Sequence, residues 1–158
     1  MIKRANKKLW MIRRLKYLGA DTMDLTDIYI KQIRSLLELA APVWHGGISQ
    51  LEGLDIERVK KSAAHIILGE QYSSYKDALV ELELESLESR RGKLCLKFTK
   101  KAEKHEKHQN WFKLNRTTVN TRQQKNKYCD VRAFHTRFQK SPISFLTKLL
   151  NEHYNKKV

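Results

Sequence analysis

A chain of 158 residues, 41% hydrophobic and 31% charged, is one domain or one domain with an appendage, and its core does not run the whole length. No apolar run approaches the ~20 residues of a membrane span. Two cysteines make no disulfide framework, and two prolines with six glycines argue against an all-β fold. The net charge of +15 lies entirely in the second part: residues 1–89 hold 13 basic and 13 acidic side chains, whereas residues 90–158 hold 19 against 4. A segment this basic favours a polyanion, nucleic acid first and an anionic membrane surface second.

The first predicted element is a helix. Ile2, Ala5, Leu9 and Ile12 step by three and four, and Leu15 and Leu18 continue the stripe. Lys3, Arg4, Lys7, Lys8, Arg13, Arg14 and Lys16 cover its other faces with no acid among them. The stretch lacks the continuous apolar core of a signal peptide, so the expected setting is intracellular, nuclear or cytoplasmic. Gly19 is placed to end the helix. Asp21, with Asp24 three residues on, can cap a second one. That helix carries Ile28, Tyr29, Ile33, Leu36, Leu37 and Ala40 inward, and Pro42 is expected to stop it. A turn follows at Trp44-His45-Gly46-Gly47, where the large Trp44 ring can plug a helical core.

Ser49 with Glu52 is a capping box for a third helix, with Ile56, Val59, Ala63, Ile66 and Ile67 inward and Gly69 closing it. Ser74 with Asp77 opens a short fourth helix to about Leu82. Ser86 starts a fifth, on which Leu87, Arg91, Leu94, Phe98 and Ala102 share a face, fraying near His105. From Lys113 to Lys140 no stable period exists, and this reads as a basic loop or disordered arm. Ser141-Pro142 opens a last short helix with Ile143, Leu146, Leu149 and Leu150 as its apolar face. The expected fold is all-α: a bundle of about five or six helices, with residues 1–112 as the bundle, 113–140 as a poorly ordered basic arm and 141–158 as a C-terminal helix and tail.

No catalytic chemistry emerges from the residues. Cys95, His105, His108 and Cys129 form a Cys/His set, but their spacing matches no zinc pattern, and no metal or other cofactor is expected. Asp24, Asp27, Glu81, Glu83, Glu85 and Glu88 fit caps or exposed helix faces. No adjacent Asp-Asp pair and no glycine-rich phosphate loop occurs. His45 reads as a turn residue and His65 as an edge position.

Nucleic-acid binding is the functional signal that remains. The candidate contacts on the first helix are Lys3, Arg4, Lys7, Lys8 and Arg14. On the third they are Arg58 and Lys61, beside His65. In the arm they are Lys113, Arg116, Arg122, Lys125, Lys127, Arg132 and Arg137, interleaved with Tyr128 and Phe134. Cations mixed with aromatics combine phosphate contacts with stacking on bases.

The order of landmarks resembles a known family. Lys7-Lys8-Leu9-Trp10 leads to Leu15-Lys16-Tyr17-Leu18-Gly19. Tyr29-Ile30 precedes Ile33-Arg34-Ser35-Leu36-Leu37-Glu38 and Ala41-Pro42-Val43-Trp44-His45. Ile56-Glu57-Arg58-Val59-Lys60-Lys61-Ser62-Ala63 closes on Ile66-Ile67-Leu68-Gly69. Leu82-Glu83-Leu84-Glu85-Ser86-Leu87, Arg90-Arg91 and Leu94-Cys95-Leu96-Lys97-Phe98 follow, and the string ends at Lys140-Ser141-Pro142 through Asn151. This is similar to the C-terminal portion of reverse transcriptases from jockey-like non-LTR retrotransposons, over essentially the whole chain. The Pro-Val-Trp-His turn and the Glu-Arg-Val helix are its most specific parts. The resemblance implies a thumb and the segment after it: a helical bundle that grips a primer–template backbone of RNA, DNA or hybrid. It places the metal-binding palm of the RNA-directed DNA polymerase upstream of Met1, as a possible partner. No catalytic residue is implied for this chain. A decayed or domesticated remnant serving as a protein-interaction module is the alternative.

Overall fold

The computed structural model describes residues 1–115, 126–130 and 135–156. The fold is all-α, and among the described residues the one non-helical pairing is an antiparallel bridge between Leu114 and Tyr128. The chain divides into two compact units, residues 1–39 with 49–90, and residues 40–48 with 91–158. The packing therefore divides within the fifth predicted helix, after residue 90, close to where the charge excess begins.

The first unit opens with α1, Ile2–Tyr17, whose Ala5, Leu9 and Ile12 are buried. Leu18, expected to continue that stripe, is exposed: the helix has ended, and Gly19 at φ +85° turns the chain away. Asp21 stands at the N-cap of α2, Thr22–Ile28, but its side chain makes no capping hydrogen bond, so the expected box does not form. The helix continues through a π-helical stretch, Tyr29–Arg34, into α3, Ser35–Glu38. Leu25, Tyr29, Ile33 and Leu37 are all buried, at a spacing of four. Four residues overshoot an α-helical turn and undershoot a π turn, so the mixed helix keeps them on one line. Ala40, expected inward, is exposed in the left-handed region at φ 52°, and the helix stops there rather than at Pro42.

The capping box of α5, Gln50–Leu68, forms as expected, with both the Ser49 side chain and the Glu52 carboxylate engaged. Ile56, Val59, Ala63 and Ile67 are buried against α1 and α2. At the far end of α5, the Lys16 ammonium of α1 donates to the carbonyls of Ile66 (2.8 Å) and Ile67 (2.9 Å), a cation satisfying a helix C-terminus. Gly69, at φ +59°, leaves room there: a Cβ would strike the Lys16 ammonium. After a 3-10 turn, Gly69–Gln71, Ser74 accepts from the Asp77 amide to start α6, Tyr75–Glu81. α7, Leu87–Lys104, begins in this unit.

The second unit begins with α4, Ala41–Trp44, which Pro42 opens rather than forbids, because proline suits the first turn of a helix. Trp44 thus sits in a helical turn, half-buried, with the Arg91 guanidinium 5.8 Å from its ring. Arg91 is buried on the inward face of α7, as predicted, and its Nε donates to His45 Nδ1 at 3.4 Å. Along α7 the buried line is Arg91, Cys95, Thr99 and Ala102. Phe98, expected inward, is 39% exposed. A 3-10 helix, Glu106–Trp111, a short α8, Thr136–Gln139, and α9, Pro142–Asn155, complete the unit. Cys95, Ala102, Phe112, Tyr128, Leu146 and Leu150 form its core. Ile143, expected on the apolar face of α9, is 40% exposed. Ser144, Thr147 and Asn151 are buried instead.

Candidate nucleic-acid interface

α1 has one wet face, built from the residue spacing alone. Its buried line, Ala5, Leu9 and Ile12, steps by four and three. Lys3, Lys7, Trp10, Arg14 and Tyr17 step by four and three on the opposite side, and all five are exposed. Arg4 and Arg13 flank them, also exposed. Two of the seven basic residues on this helix are used inside the unit: Lys16 on the α5 carbonyls, and Lys8, whose ammonium donates to Gln32 Oε1 at 3.0 Å. Among the described residues, Lys3, Arg4, Lys7, Arg13 and Arg14 make no ion pair. Trp10 and Tyr17 share this exposed face although the basic pattern does not single them out. Their signal is their spacing: seven residues apart, they fall in the same heptad line as the cations.

On α5, Arg58 and Lys61 are exposed as expected, but Arg58 is paired with Asp55 at 2.6 Å. An exposed pair of this kind holds its partner weakly, so Arg58 stays available to a phosphate. A small groove lined by Ile2, Asn6, Asp55, Arg58, Val59 and Ser62 adjoins it.

In the second unit the expectation for Tyr128 fails. The sequence presents it as a ring free to stack on bases, yet it is 4% exposed and part of the core. Its hydroxyl donates to Glu103 of α7, its amide donates to Asn151 Oδ1 (3.0 Å), and its carbonyl accepts from Asn151 Nδ2 (3.0 Å). Lys127, expected to meet phosphate, is held by Glu103 at 2.9 Å and lies 4.0 Å from the Tyr154 ring centroid. Burial pushes the Glu103 carboxyl up, but hydrogen bonds from Tyr128, Lys127 and Tyr154 outweigh it and hold the group below the usual carboxylate range. These partners lie more than twenty residues away in sequence, beyond any local pattern. Tyr128→Leu should therefore lower stability by about 1–3 kcal/mol, the usual worth of a hydrogen bond to a charged group, because the Glu103 bond is lost while Lys127 and Tyr154 still hold that carboxylate. It should leave nucleic-acid affinity at low salt unchanged. Urea denaturation and a binding curve on the same sample separate the two.

Lys113 is exposed, next to the Leu114–Tyr128 bridge. Arg137 belongs to α8. Arg116, Arg122, Lys125, Arg132 and Phe134 lie outside the described residues. The described ends of the predicted arm are tied down, by the Asn115 amide to the Lys127 carbonyl (2.9 Å) and the Cys129 amide to the Lys113 carbonyl (2.8 Å).

Among the described residues no group of three or more His, Cys, Asp or Glu could hold a metal ion, and no helix is long and apolar enough to cross a membrane. The Cys95 thiol is buried, and desolvation pushes it up to about 11, which suppresses the thiolate a nucleophile requires. In comparisons with known proteins, the chain matches no family model, no curated protein and no solved structure.

Proposed function

We propose that this chain is a non-catalytic, nucleic-acid-gripping piece of a non-LTR retrotransposon reverse transcriptase. On this reading it holds the backbone of RNA, DNA or a hybrid, and polymerisation belongs to a palm elsewhere. The observation that supports it best is the outer face of α1: five exposed cations, no acid, and no internal ion pair to satisfy them. Unneutralised cations on one rigid helix attract phosphate from solution and make no use of base identity. The basic excess of residues 90–158 adds to the field.

The test is a fluorescence-anisotropy salt titration of the whole chain on a duplex. If about five cations meet phosphates, the counterion-release slope is roughly −4 to −5, and affinity falls on the order of 10²- to 10³-fold between 50 and 200 mM salt. Replacing Lys3, Lys7 and Arg14 with Gln should flatten that slope by about three, roughly one for each phosphate that no longer meets a cation. A flat salt response, or no binding at low salt, sinks the gripping role. The interaction-module reading would then lead, because α5 exposes Leu51 (74%) and Leu54 (55%) in its first turns.

A further inference from the structure

We infer that the outer face of α1 is a stacking surface for unpaired nucleotides, with Trp10 and Tyr17 taking bases and Lys3, Lys7 and Arg14 taking the phosphates between them. The inference rests on the nucleic-acid reading and adds to it a substrate class, single-stranded segments, and the residues that recognise it.

Trp10 is 68% exposed and Tyr17 81% exposed, so neither ring is needed to fill the core. Seven residues at 1.5 Å each separate them by about 10 Å along the helix, far enough for each to take its own base. The Arg14 guanidinium lies over the Tyr17 ring, 5.7 Å from its centroid, which sets a cation against one face of the ring, within reach of the phosphate that would follow a base stacked on the other. Lys7 stands one turn before Trp10 on the same line. Aromatics that alternate with cations along a groove or helix are how sequence-tolerant single-strand binders are built.

A duplex does not use this surface fully. Its bases are already stacked on one another, so only its phosphates reach the cations. An anionic membrane fits less well. An interfacial helix buries a continuous apolar face among the acyl chains. The apolar line of α1, Ala5, Leu9 and Ile12, is already inside the protein, which leaves two rings set among charges.

The experiment uses the whole chain and fluorescence anisotropy on three probes of equal length, about 15 nucleotides: oligo-dT, an abasic strand with the same phosphates, and a duplex. Vesicles of phosphatidylserine and phosphatidylcholine form a fourth arm. Trp10→Leu should weaken oligo-dT binding on the order of 5- to 100-fold, the usual loss for one stacked base. Tyr17→Leu should add to it. Trp10→Phe, which keeps an aromatic face, should retain most of the affinity. Duplex and abasic-strand affinities should not move, which also shows that the variants are folded. Equal losses on all probes would overturn the inference, as would a Phe variant no better than Leu. So would vesicle binding that needs the rings while oligo-dT binding does not. If the duplex and abasic strand bind with a steep salt response and oligo-dT binds no better, whatever stands at position 10, stacking falls and the backbone grip survives. If the parent binds no probe, both fall together.

Discussion

Replacing Glu57 with Ala should destabilise the chain by about 3–5 kcal/mol, a large share of the roughly 5–15 kcal/mol a small domain has. Glu57 sits half-buried on α5 and links three elements. One carboxylate oxygen accepts from the Tyr75 hydroxyl of α6, and both lie 3.2 Å from the Leu87 amide at the first turn of α7. A carboxylate at a helix N-terminus meets unpaired amides and the positive end of the helix dipole. Removing it strands two donors in a partly dry site, the Leu87 amide it caps and the Tyr75 hydroxyl, at about 1–3 kcal/mol each. Burial and the Glu57 hydrogen bond both push the Tyr75 phenol well above its ordinary range, so Tyr75 stays a donor at any working pH. Glu57→Gln keeps the acceptor oxygen and should lose less than half as much. The measurement is urea denaturation followed by circular dichroism. Coincident curves for Glu57→Ala and parent would show that water, not Glu57, satisfies the Leu87 amide.

Local signals are legible in the sequence because they are carried by residues three or four apart. Ser49 with Glu52, Ser74 with the Asp77 amide, Ser141 before Pro142 and the positive-φ glycines 19 and 69 all stand where the pattern puts them. Most inward positions of α1 and α5 are legible for the same reason. What the pattern does not show is which polar residues turn inward. Glu57 and Lys60 are not among the inward positions the periodicity picks out, yet their partners are Tyr75, Leu87 and Glu85, eighteen or more residues on. Tyr128 reads as an arm aromatic, because nothing local announces Asn151 and Glu103. The π-helical stretch is equally silent, although the four-residue spacing from Leu25 to Leu37 is its trace. On the candidate interface the cations of α1 are legible by type. Lys8 and Lys16 are withdrawn from it only by tertiary hydrogen bonds.

Lys60→Met should stabilise the chain at neutral pH, the opposite of what removing an ion-pairing lysine does at a surface. Lys60 is 1% exposed, and its ammonium donates to the Glu85 carbonyl. The charged groups around it are Glu57, Arg34, Arg90 and Glu38. Glu38 is itself held by Arg90 (2.6 Å), with Arg34 at 3.9 Å, so little of its charge is left for Lys60. Desolvation is the largest effect and brings the Lys60 ammonium down to about 8 from an ordinary 10.5. The sign follows from linkage. Between those two values the unfolded chain binds more protons than the folded one, so the folded state gains as pH rises. The penalty is present in full below about 8 and fades toward 10.5. It amounts to at most about 3 kcal/mol. Methionine matches the stem in volume and carries no charge to desolvate, and replacing a buried charge in this way is often stabilising by about 1–3 kcal/mol. Glu85 is exposed, so its carbonyl can turn to water, and Glu57 keeps the Tyr75 and Leu87 donors. The quantity to measure is the difference in unfolding free energy between variant and parent from pH 7 to pH 10.5. Taking the difference cancels the tyrosines and Cys95, which titrate alike in both chains. It should be positive at pH 7 and shrink steadily as pH rises. A difference that is negative or constant across that range would mean the ammonium is solvated in the folded state. The double variant closes the cycle. Glu57→Ala leaves Lys60 buried beside no carboxylate of its own, so adding Lys60→Met should recover part of that loss beyond simple additivity.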